Sequence, residues 1–277
     1  MRPDQPFPAQ QLESLLEPVI ALAKQAGHEI LAIYESEFAV QHKADDSPLT
    51  QADLAAHQTI IEGLRALTPE AAMISEEAGL PPFEERAAWR TYWLVDPLDG
   101  TKEFVKRSGE FTVNIALIVD HRPVLGVVHT PVLDLTYAGA TGLGAFRQKN
   151  EQPRQPIRVR RLGDGPVTVV GSKSHGTEAL RLYLEQIGDY RLRSMGSSLK
   201  FCLVAEGSAD LYPRLGPTSE WDTAAAQAVV EAAGGQVTDL AMNPLRYNTG
   251  ESLLNPHFFV FGDPDGHWER YLPEALR

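Results

Sequence analysis

The sequence contains almost no cysteine: Cys202 is the only one among 277 residues. No disulfide can therefore form within the chain, which suits a reducing compartment. Basic residues are also scarce, with 25 lysines and arginines against 37 aspartates and glutamates, so the formal net charge is −12. A chain with this charge is a poor candidate for nonspecific nucleic-acid binding.

Long hydrophobic runs are missing as well. No apolar stretch approaches the ~18 residues of a membrane-spanning helix. Residues 1–11 also lack the basic-then-apolar order of a secretory signal. With 277 residues, the chain can bury a large core without covalent cross-links, as one domain or as two lobes. The composition predicts a soluble cytoplasmic enzyme or binding protein with no transmembrane segment.

Apolar periodicity predicts two long helices near the start of the chain. Residues 12–34 carry apolar side chains every three or four positions, which is typical of an amphipathic helix. Because Pro18 fits best in a first helical turn, we expect this helix to begin just before it. A second helix is predicted over residues 51–67, with Leu54 and Leu64 on its apolar side.

Strand signals follow, and after them strands and helices alternate. The polar segment 148–155 is the predicted boundary between lobes that span about 12–150 and 156–262. This order predicts a layered α/β protein, with an α+β N-terminal lobe and an α/β C-terminal lobe. Strands of the first lobe are predicted at residues 92–95, 111–119, 124–129, 135–138 and 144–147.

The stretch 93–101, Trp-Leu-Val-Asp-Pro-Leu-Asp-Gly-Thr, is the most informative. An apolar strand ends there in two carboxylates, Asp96 and Asp99, with a proline between them and Gly100 behind them. Proline fixes one backbone angle and glycine permits a sharp bend, so both carboxylates can face one pocket. Such oxygen ligands suit a hard divalent cation. An acidic surface turn uses the same residue types, so this stretch alone leaves both interpretations open.

Other acidic segments favour the metal site. Glu76 follows a short apolar segment, Asp222 directly precedes a predicted helix at 223–233, and Asp53 lies near Thr50 at the start of the second helix. An aspartate before a helix has an ordinary capping role, although a helix N-terminus also suits phosphate. Each segment alone is a weak signal.

Taken together, these segments resemble the inositol monophosphatase superfamily of magnesium-dependent, lithium-sensitive phosphatases. The segments Ser75-Glu-Glu77, Asp96-Pro-Leu-Asp-Gly-Thr101 and Trp221-Asp222 agree with it in order and spacing. The resemblance covers residues 12–261. It implies a single domain over 1–277 with the fold of that superfamily, a fructose-bisphosphatase-like sandwich of alternating helix and sheet layers.

Further segments are similar to the bacterial 3′(2′),5′-bisphosphate nucleotidases of that superfamily. They are Lys102-Glu103 and the stretches 109–116, 171–175 and 196–207. This resemblance implies that the 3′-phosphate of adenosine 3′,5′-bisphosphate is hydrolysed, giving AMP and phosphate in sulfate assimilation. It implies a cytoplasmic enzyme and leaves peripheral contact with the cytoplasmic face of the inner membrane open.

The resemblance also implies two magnesium ions, with a weaker third ion as an alternative. The implied metal ligands are Glu76, Asp96, the Leu98 carbonyl, Asp99 and Asp222. The implied catalytic residues, which activate or orient water, are Thr50, Asp53, Glu76 and Thr101. Residues implied to face the substrate are Glu76, Leu98, Asp99, Gly100, Thr101 and Asp222, and Ser172, His175 and Lys200 are candidates for the nucleotide and its second phosphate.

Three other functions are alternatives to bisphosphate hydrolysis. Another member of the superfamily would act on inositol phosphates, fructose bisphosphate or a similar sugar phosphate. A phosphatase with an aspartyl-phosphate intermediate needs two aspartates two residues apart, whereas Asp96 and Asp99 are three apart, which excludes it. A noncatalytic nucleotide-binding regulator is disfavoured because all four metal carboxylates and Thr101 are present.

Overall fold

The computed structural model describes residues 8–35, 41–42, 48–49, 51–171 and 177–276. Its α-helices are α1 (Ala9–Tyr34), α2 (Gln51–Leu67), α3 (Phe83–Arg86), α4 (Thr101–Val105), α5 (Glu178–Ile187), α6 (Leu199–Ala205) and α7 (Ala224–Ala232). Its strands are β1 (Gln41–His42), β2 (Pro48–Leu49), β3 (Ala72–Ser75), β4 (Thr91–Asp99), β5 (Thr112–Val119), β6 (Arg122–Thr130), β7 (Leu135–Ala140), β8 (Gly144–Lys149), β9 (Gln155–Ile157), β10 (Val167–Gly171), β11 (Tyr190–Ser194), β12 (Leu211–Arg214), β13 (Gln236–Asp239) and β14 (Phe258–Phe261).

A seven-stranded sheet forms the centre of the N-terminal half. Its strand order is β3-β4-β5-β6-β7-β8-β9, and only the β3–β4 pair is parallel. Side chains alternate across this sheet: Trp93 and Val95 face the core shared with α1 and α2, whereas Tyr92 and Leu94 belong to the core shared with α6 and α7. The sheet is therefore covered by helices on both faces.

A second sheet of five strands lies beyond α6 and α7. Its order is β11-β10-β12-β14-β13. One of its faces contributes Val170, Tyr212 and Val260 to the core shared with α6 and α7. The other face contributes Val169 and Phe259 to a smaller core with α5 and the C-terminal 3₁₀ turns. Helix and sheet layers thus alternate through the molecule, and the layered α/β prediction is confirmed.

Helix α1 departs from its predicted start. It begins at Ala9, and Pro18 lies inside it, so the expected start just before Pro18 is wrong. Proline removes one helical hydrogen bond, but the turns before it bury Leu12, Leu15 and Leu16 against the sheet. Burial of these side chains outweighs the lost hydrogen bond.

Helix α2 has the predicted bounds but a different buried face. Leu54 was expected on its apolar side, yet 49 % of its surface is exposed. The side chains of Asp53, Ile60 and Leu64 are buried instead. Packing against α1 and β4, rather than the apolar residues of the helix alone, sets which side faces inward.

The first sheet extends beyond the predicted lobe boundary. Strand β9 pairs with β8 after the polar segment 148–155, so residues 155–157 still belong to the first sheet. The division into two lobes stays a prediction. Among the helices of the described residues, none is both long and apolar enough to cross a lipid bilayer.

Candidate active site with an acidic metal cluster

A bulge in β4 brings Asp96 and Asp99 to the same face of the sheet. Their partners on β5 are Asn114 and Thr112, which are two residues apart, so β4 carries one extra residue between the two carboxylates. Residues three apart on a regular strand point to opposite faces, and the extra residue cancels that offset. Pro97 lies inside this bulge, where a strand tolerates the missing N–H group. The shared pocket was predicted, but the strand continues to Asp99 instead of ending before Asp96.

The chain turns sharply into α4 directly after this bulge. Gly100 has a φ of 95°, in the left-handed region that favours glycine. Its carbonyl accepts the first helical hydrogen bond, from the Phe104 N–H at 2.9 Å. The Thr101 hydroxyl donates to the Leu98 carbonyl at 3.4 Å. The turn therefore sets a hydroxyl and a carbonyl oxygen side by side next to the two aspartates.

Parallel pairing of β3 and β4 places Glu76 beside Asp96. Ser75 pairs with Val95, and the Glu76 N–H donates to the Val95 carbonyl at 3.2 Å. Because the carboxyl ends of parallel strands lie at one edge of a sheet, the residues that follow both strands meet there. Two acidic segments that are 20 positions apart in sequence thus reach one site.

Asp222 belongs to the C-terminal half of the chain and is the last residue of the 3₁₀ turn Glu220–Asp222. Its Oδ2 accepts the Ser219 N–H at 2.9 Å, and the Ser219 side chain accepts the Asp222 N–H in return. The ordinary alternative for Asp222, an N-cap on α7, does not apply, since Thr223 occupies that position. The reciprocal bonds with Ser219 fix the carboxylate instead.

Three carboxylates meet at this point. Ligand oxygens of Glu76, Asp96 and Asp222 all lie within 4.8 Å of one another. The Asp96 side chain is 1 % exposed, its Oδ1 accepts the Leu98 N–H at 3.0 Å, and its Oδ2 is buried without a hydrogen-bond partner. A buried oxygen of this kind, aimed among other carboxylates, is the donor that a divalent cation prefers. The residues present therefore fit a metal ion.

The electrostatics of the cluster also favour a bound metal ion. Burial, followed by the nearby charges of Glu76 and Asp99, raises the pKa of Asp96 well above its usual range. Burial and then the charge of Asp99 raise the pKa of Asp222 to about 8. Carboxylates that repel one another in a buried site are stabilised in their ionised form by a bound cation.

Asp99 and Asp53 complete the acidic site. The Asp99 Oδ2 accepts both the backbone N–H of Ser198, at 2.6 Å, and its hydroxyl, at 2.8 Å. Asp53 is buried in the first turn of α2, close enough for its charge to raise the pKa of Asp96. Of the other predicted site residues, Thr50, Ser172 and His175 lie outside the described residues.

A cavity of about 130 Å³ opens beside the carboxylates. Lys200, in the first turn of α6, lines it and is buried. Its ammonium donates to the Ser197 carbonyl at 2.6 Å and lies 5.6 Å from the centre of the Tyr212 ring. Burial lowers the pKa of Lys200, and the charge of Asp99 opposes that effect. The predicted lysine thus lies in the same cavity as the acidic residues Asp99 and Asp222.

Arg214 and Ser198 are among the residues of this cavity that were not predicted from the sequence. Arg214, at the end of β12, lines it with a buried Nε that has no hydrogen-bond partner, while its Nη2 donates to the Pro217 carbonyl at 2.7 Å. Ser198 holds Asp99 and accepts the Asn114 Nδ2–H at 2.9 Å. Neither residue stands in a motif that distinguishes it, although Ser198 falls within the stretch 196–207 that carried the resemblance.

A second cavity, of about 320 Å³, adjoins the first. Tyr212 and Arg214 line both cavities, so they form the boundary between them. Lys102, Thr177 and Leu215 line its other sides. The site therefore combines an acidic cluster, Lys200 in the first cavity, Arg214 on the wall between the two cavities, and an adjoining mixed polar and apolar space.

Comparisons with known proteins agree with this geometry. The model of the inositol monophosphatase family matches residues 11–268. The 3′(2′),5′-bisphosphate nucleotidase CysQ of Salmonella typhimurium is 51 % identical over 89 % of this chain and 99 % of its own length. The solved structure of CysQ from Bacteroides thetaiotaomicron, a bacterial member of the inositol monophosphatase family, superposes with a TM-score of 0.79 at 41 % identity, covering 90 % of this chain and 97 % of that one.

A more distant solved structure shares the fold. Inositol monophosphatase from Anabaena is 24 % identical and superposes with a TM-score of 0.73, covering 95 % of this chain and 98 % of that one. The family match spans nearly the whole chain, and the fold, the order of the acidic segments and their convergence agree with it. Members of this family depend on metal ions, and the acidic cluster offers the ligands. The chain belongs to the inositol monophosphatase family.

Proposed function

We propose that the protein is a magnesium-dependent 3′(2′),5′-bisphosphate nucleotidase. With water, it removes the 3′-phosphate of adenosine 3′,5′-bisphosphate and gives AMP and inorganic phosphate. The observation that carries this proposal is the convergence of three carboxylates beside a cavity that also holds Lys200 and Arg214. An acidic cluster suits metal ions at the phosphate that is cleaved, and cationic side chains suit a phosphate that is retained.

Similarity to named enzymes supports the reaction. Curated relatives that carry the nucleotidase name are 38 % to 51 % identical over about nine tenths of this chain. Nearly the whole length of those relatives is matched. The residues of the acidic cluster lie within the matched range, so the same chemistry is proposed for this chain.

Two sets of ligands would hold the two magnesium ions. Glu76, Asp96 and the Leu98 carbonyl would hold one ion, and Asp96, Asp99 and Asp222 would hold the other. When bound, magnesium activates water and neutralises the charge that develops on the phosphoryl group. The buried Oδ2 of Asp96, which has no hydrogen-bond partner, supports its part as a metal ligand.

The attacking water is oriented by groups at the start of α4. The hydroxyl proton of Thr101 is donated to the Leu98 carbonyl, which leaves the Thr101 oxygen as an acceptor for a proton of the water. Asp53, with Thr50, assists in activating this water or holds a weaker third ion. The Gly100 and Thr101 amides hold phosphate oxygens at the same turn. No covalent intermediate with the enzyme is needed.

The retained 5′-phosphate is bound on the cationic side of the cavity. Lys200 and Arg214 both line the first cavity and supply the positive charge. The second cavity, on the other side of Tyr212, accommodates the nucleoside. Ser172 and His175 remain candidates for contacts with the nucleotide.

A substrate panel tests the proposal. Purified protein with magnesium is supplied separately with adenosine 3′,5′-bisphosphate, its sulfated form, inositol monophosphate and fructose bisphosphate, and phosphate release is followed. We expect the adenosine bisphosphates to be hydrolysed fastest, with AMP as the nucleoside product of the unsulfated one. Activity should disappear in excess chelator and be inhibited by lithium.

Other outcomes separate the alternatives. Faster release from inositol monophosphate or fructose bisphosphate would place the protein in another branch of the family. Binding of the nucleotide without phosphate release from any substrate would show a noncatalytic regulator instead. Preservation of activity in excess chelator would contradict the metal centre itself.

The proposed reaction has a metabolic setting. Removal of adenosine 3′,5′-bisphosphate belongs to sulfate assimilation, and we expect the protein to work in the cytoplasm. Peripheral association with the inner membrane stays a prediction, which co-sedimentation with vesicles of bacterial lipid would test.

A further inference from the structure

A buried arginine lies outside the cavity, beneath the loop that follows Glu76. Arg86, the last residue of α3, is 1 % exposed. Its Nε donates to the Pro81 carbonyl at 3.3 Å, one Nη donates to the side-chain oxygen of Asn248, and the other donates to the Glu251 carbonyl. A buried guanidinium is costly unless such acceptors surround it. The side chain of Arg86 is therefore fixed by two segments that are distant in sequence, one at Pro81 and the other at 248–251.

Asn248 connects this arginine to a buried glutamate. Its Nδ2 donates to the Arg86 carbonyl at 2.6 Å, so the two residues are bonded in both directions. Its backbone N–H donates to both carboxylate oxygens of Glu220, at 2.9 and 2.8 Å. Glu220 is 4 % exposed. The three residues form one continuous chain of hydrogen bonds, called here the relay.

The relay ends at two different metal-binding segments. At one end, Arg86 holds Pro81, in the loop that leads from Glu76 to α3. At the other end, Glu220 opens the 3₁₀ turn that closes at Asp222. The backbone N–H of Glu220 also donates to the Leu253 carbonyl at 2.8 Å, so the segment after Asn248 holds this turn a second time.

We propose that Arg86, Asn248 and Glu220 are positioning residues that set the spacing between the carboxylates of Glu76 and Asp222, and thereby the affinity of the site for magnesium. This inference rests on the metal centre of the proposed function. The two carboxylates come from opposite halves of the chain, and metal sites tolerate ligand displacements of only about 0.2 Å. Directional hydrogen bonds hold such a spacing better than apolar contacts do. Removing a partner bonded directly to a metal ligand typically changes metal affinity about 10- to 100-fold, and the relay acts one step further out, on the segments that carry the ligands, so we expect the lower end of that range.

Two variants interrupt the relay at different bonds. Glu220→Ala removes the acceptor of the Asn248 N–H, whereas Glu220→Gln keeps an acceptor oxygen of the same reach. Asn248→Gly removes both side-chain bonds to Arg86. Glycine is the right replacement there because Asn248 has a φ of 55°, which glycine adopts freely.

A matched control lies outside the cavities. Asp210 is also a buried carboxylate, and it accepts the Thr168 N–H at 2.7 Å together with two N–H groups of Arg160. Asp210→Ala therefore removes a buried acceptor of the same kind at a place that lines neither cavity. This variant reports what a loss of stability alone does to metal binding.

The measurement is calorimetric titration of magnesium into each substrate-free protein, with the unfolding temperature recorded in parallel. We expect Glu220→Ala and Asn248→Gly to raise the Kd for magnesium about tenfold or more. Glu220→Gln should stay within about threefold of the unchanged protein. Asp210→Ala should lower the unfolding temperature with a Kd within about twofold. The magnesium concentration for half-maximal hydrolysis should rise in the same two variants, while kcat at saturating magnesium recovers.

The opposite results overturn the inference. A Kd within about twofold in both relay variants, with only a lower unfolding temperature, would show that the relay supports stability alone. If Glu220→Ala does not fold, the Kd of Asn248→Gly for magnesium alone decides, by the same limit of about twofold. If the unchanged protein binds magnesium but hydrolyses no bisphosphate, the proposed function fails while the Kd comparison still tests the relay. If it binds no magnesium, both are refuted.

Discussion

At the scale of single residues, Asp96 has surroundings that disfavour a charge. It is buried, the charges of four other acidic residues raise its pKa, and one of its oxygens has no hydrogen-bond partner. A bound divalent cation would relieve all three conditions. We infer that Asp96 is kept for its metal and not for stability.

Replacing Asp96 with asparagine separates these two roles. Asp96→Asn keeps the shape but removes the charge, so the metal-free protein should unfold at the same temperature or higher. Turnover should fall by several orders of magnitude, because the proposed metal centre would lose a ligand carboxylate. Thermal unfolding with and without magnesium checks this: the unchanged protein should be stabilised by the ion and the variant should not. Wild-type turnover in a folded variant would contradict the assignment.

The proposed function assigns the retained phosphate to Lys200, which lines the cavity beside the acidic cluster. A charge-assisted hydrogen bond contributes roughly 1.5–3 kcal/mol. Lys200→Met, which keeps the length but removes the ammonium, should therefore raise KM for adenosine 3′,5′-bisphosphate about ten- to a hundredfold. It should change KM for adenosine 3′-monophosphate little, because that substrate lacks the retained phosphate. Steady-state kinetics on both substrates tests this, and equal losses would show that Lys200 supports the fold or the metal site.

At the scale of elements, α7 packs against the first sheet at an unusually close approach. Gly126 on β6 has no side chain, and an added Cβ would overlap the Ala225 carbonyl and lie 2.8 Å from the Ala228 Cβ. The obstacle on one side is backbone, which cannot rotate away. This contact holds the helix that follows Asp222 against the sheet that carries Asp96 and Asp99.

Gly126→Ala should therefore force the two elements apart. Overpacking of a core costs about 1–3 kcal/mol and occasionally more, and we expect the upper end of that range here. Urea unfolding measures the loss. Gly163→Ala is the control, since an added Cβ there meets no atom within 4 Å. Equal stability of both variants would show that α7 shifts freely on the sheet.

At the scale of the whole molecule, a buried histidine couples stability to pH. His129 on β6 is 2 % exposed, and its Nδ1 lies 2.9 Å from the Thr136 hydroxyl. Burial is the main reason that its pKa is lowered to about 4; the charge of Asp134 opposes the shift, and Lys24 and His28 on α1 contribute to it. The folded protein therefore keeps this ring neutral at pH values where the unfolded chain, with a pKa near 6.5, is protonated.

The sign of the effect follows from this difference. Above pH 6.5 both states are neutral at His129, and as the pH falls from 6.5 towards 4 the unfolded state gains the proton first, so stability is lost. At pH 5.0 this one group should cost about 2 kcal/mol. His129→Asn, which keeps a polar partner for Thr136, should shrink the difference in unfolding free energy between pH 7.5 and 5.0 by about that amount. An unchanged difference would show that other groups cause the acid sensitivity.

The amino-acid sequence by itself determined the chemistry and most of the elements. Asp96 and Asp99 were candidates from their own motif because the residues of a metal-binding turn are neighbours in sequence, whereas Glu76 and Asp222 were assigned through the resemblance of the whole set of segments. Apolar periodicity gave the bounds of α2 to the residue and the main strands to within a few residues. These features depend on contacts between residues close in the chain.

The tertiary structure alone decided what depends on contacts between distant segments. Helix α1 continues through Pro18, and Leu54 on α2 is exposed. Both features arise because the packing of one layer on another outweighs local conformational preference. The relay joins Arg86 to Asn248, which is 162 positions away in sequence. The cavity that Arg214 lines likewise combines residues from distant segments. No local pattern records such pairs, because they come together only when the two sheets and the helices between them have packed.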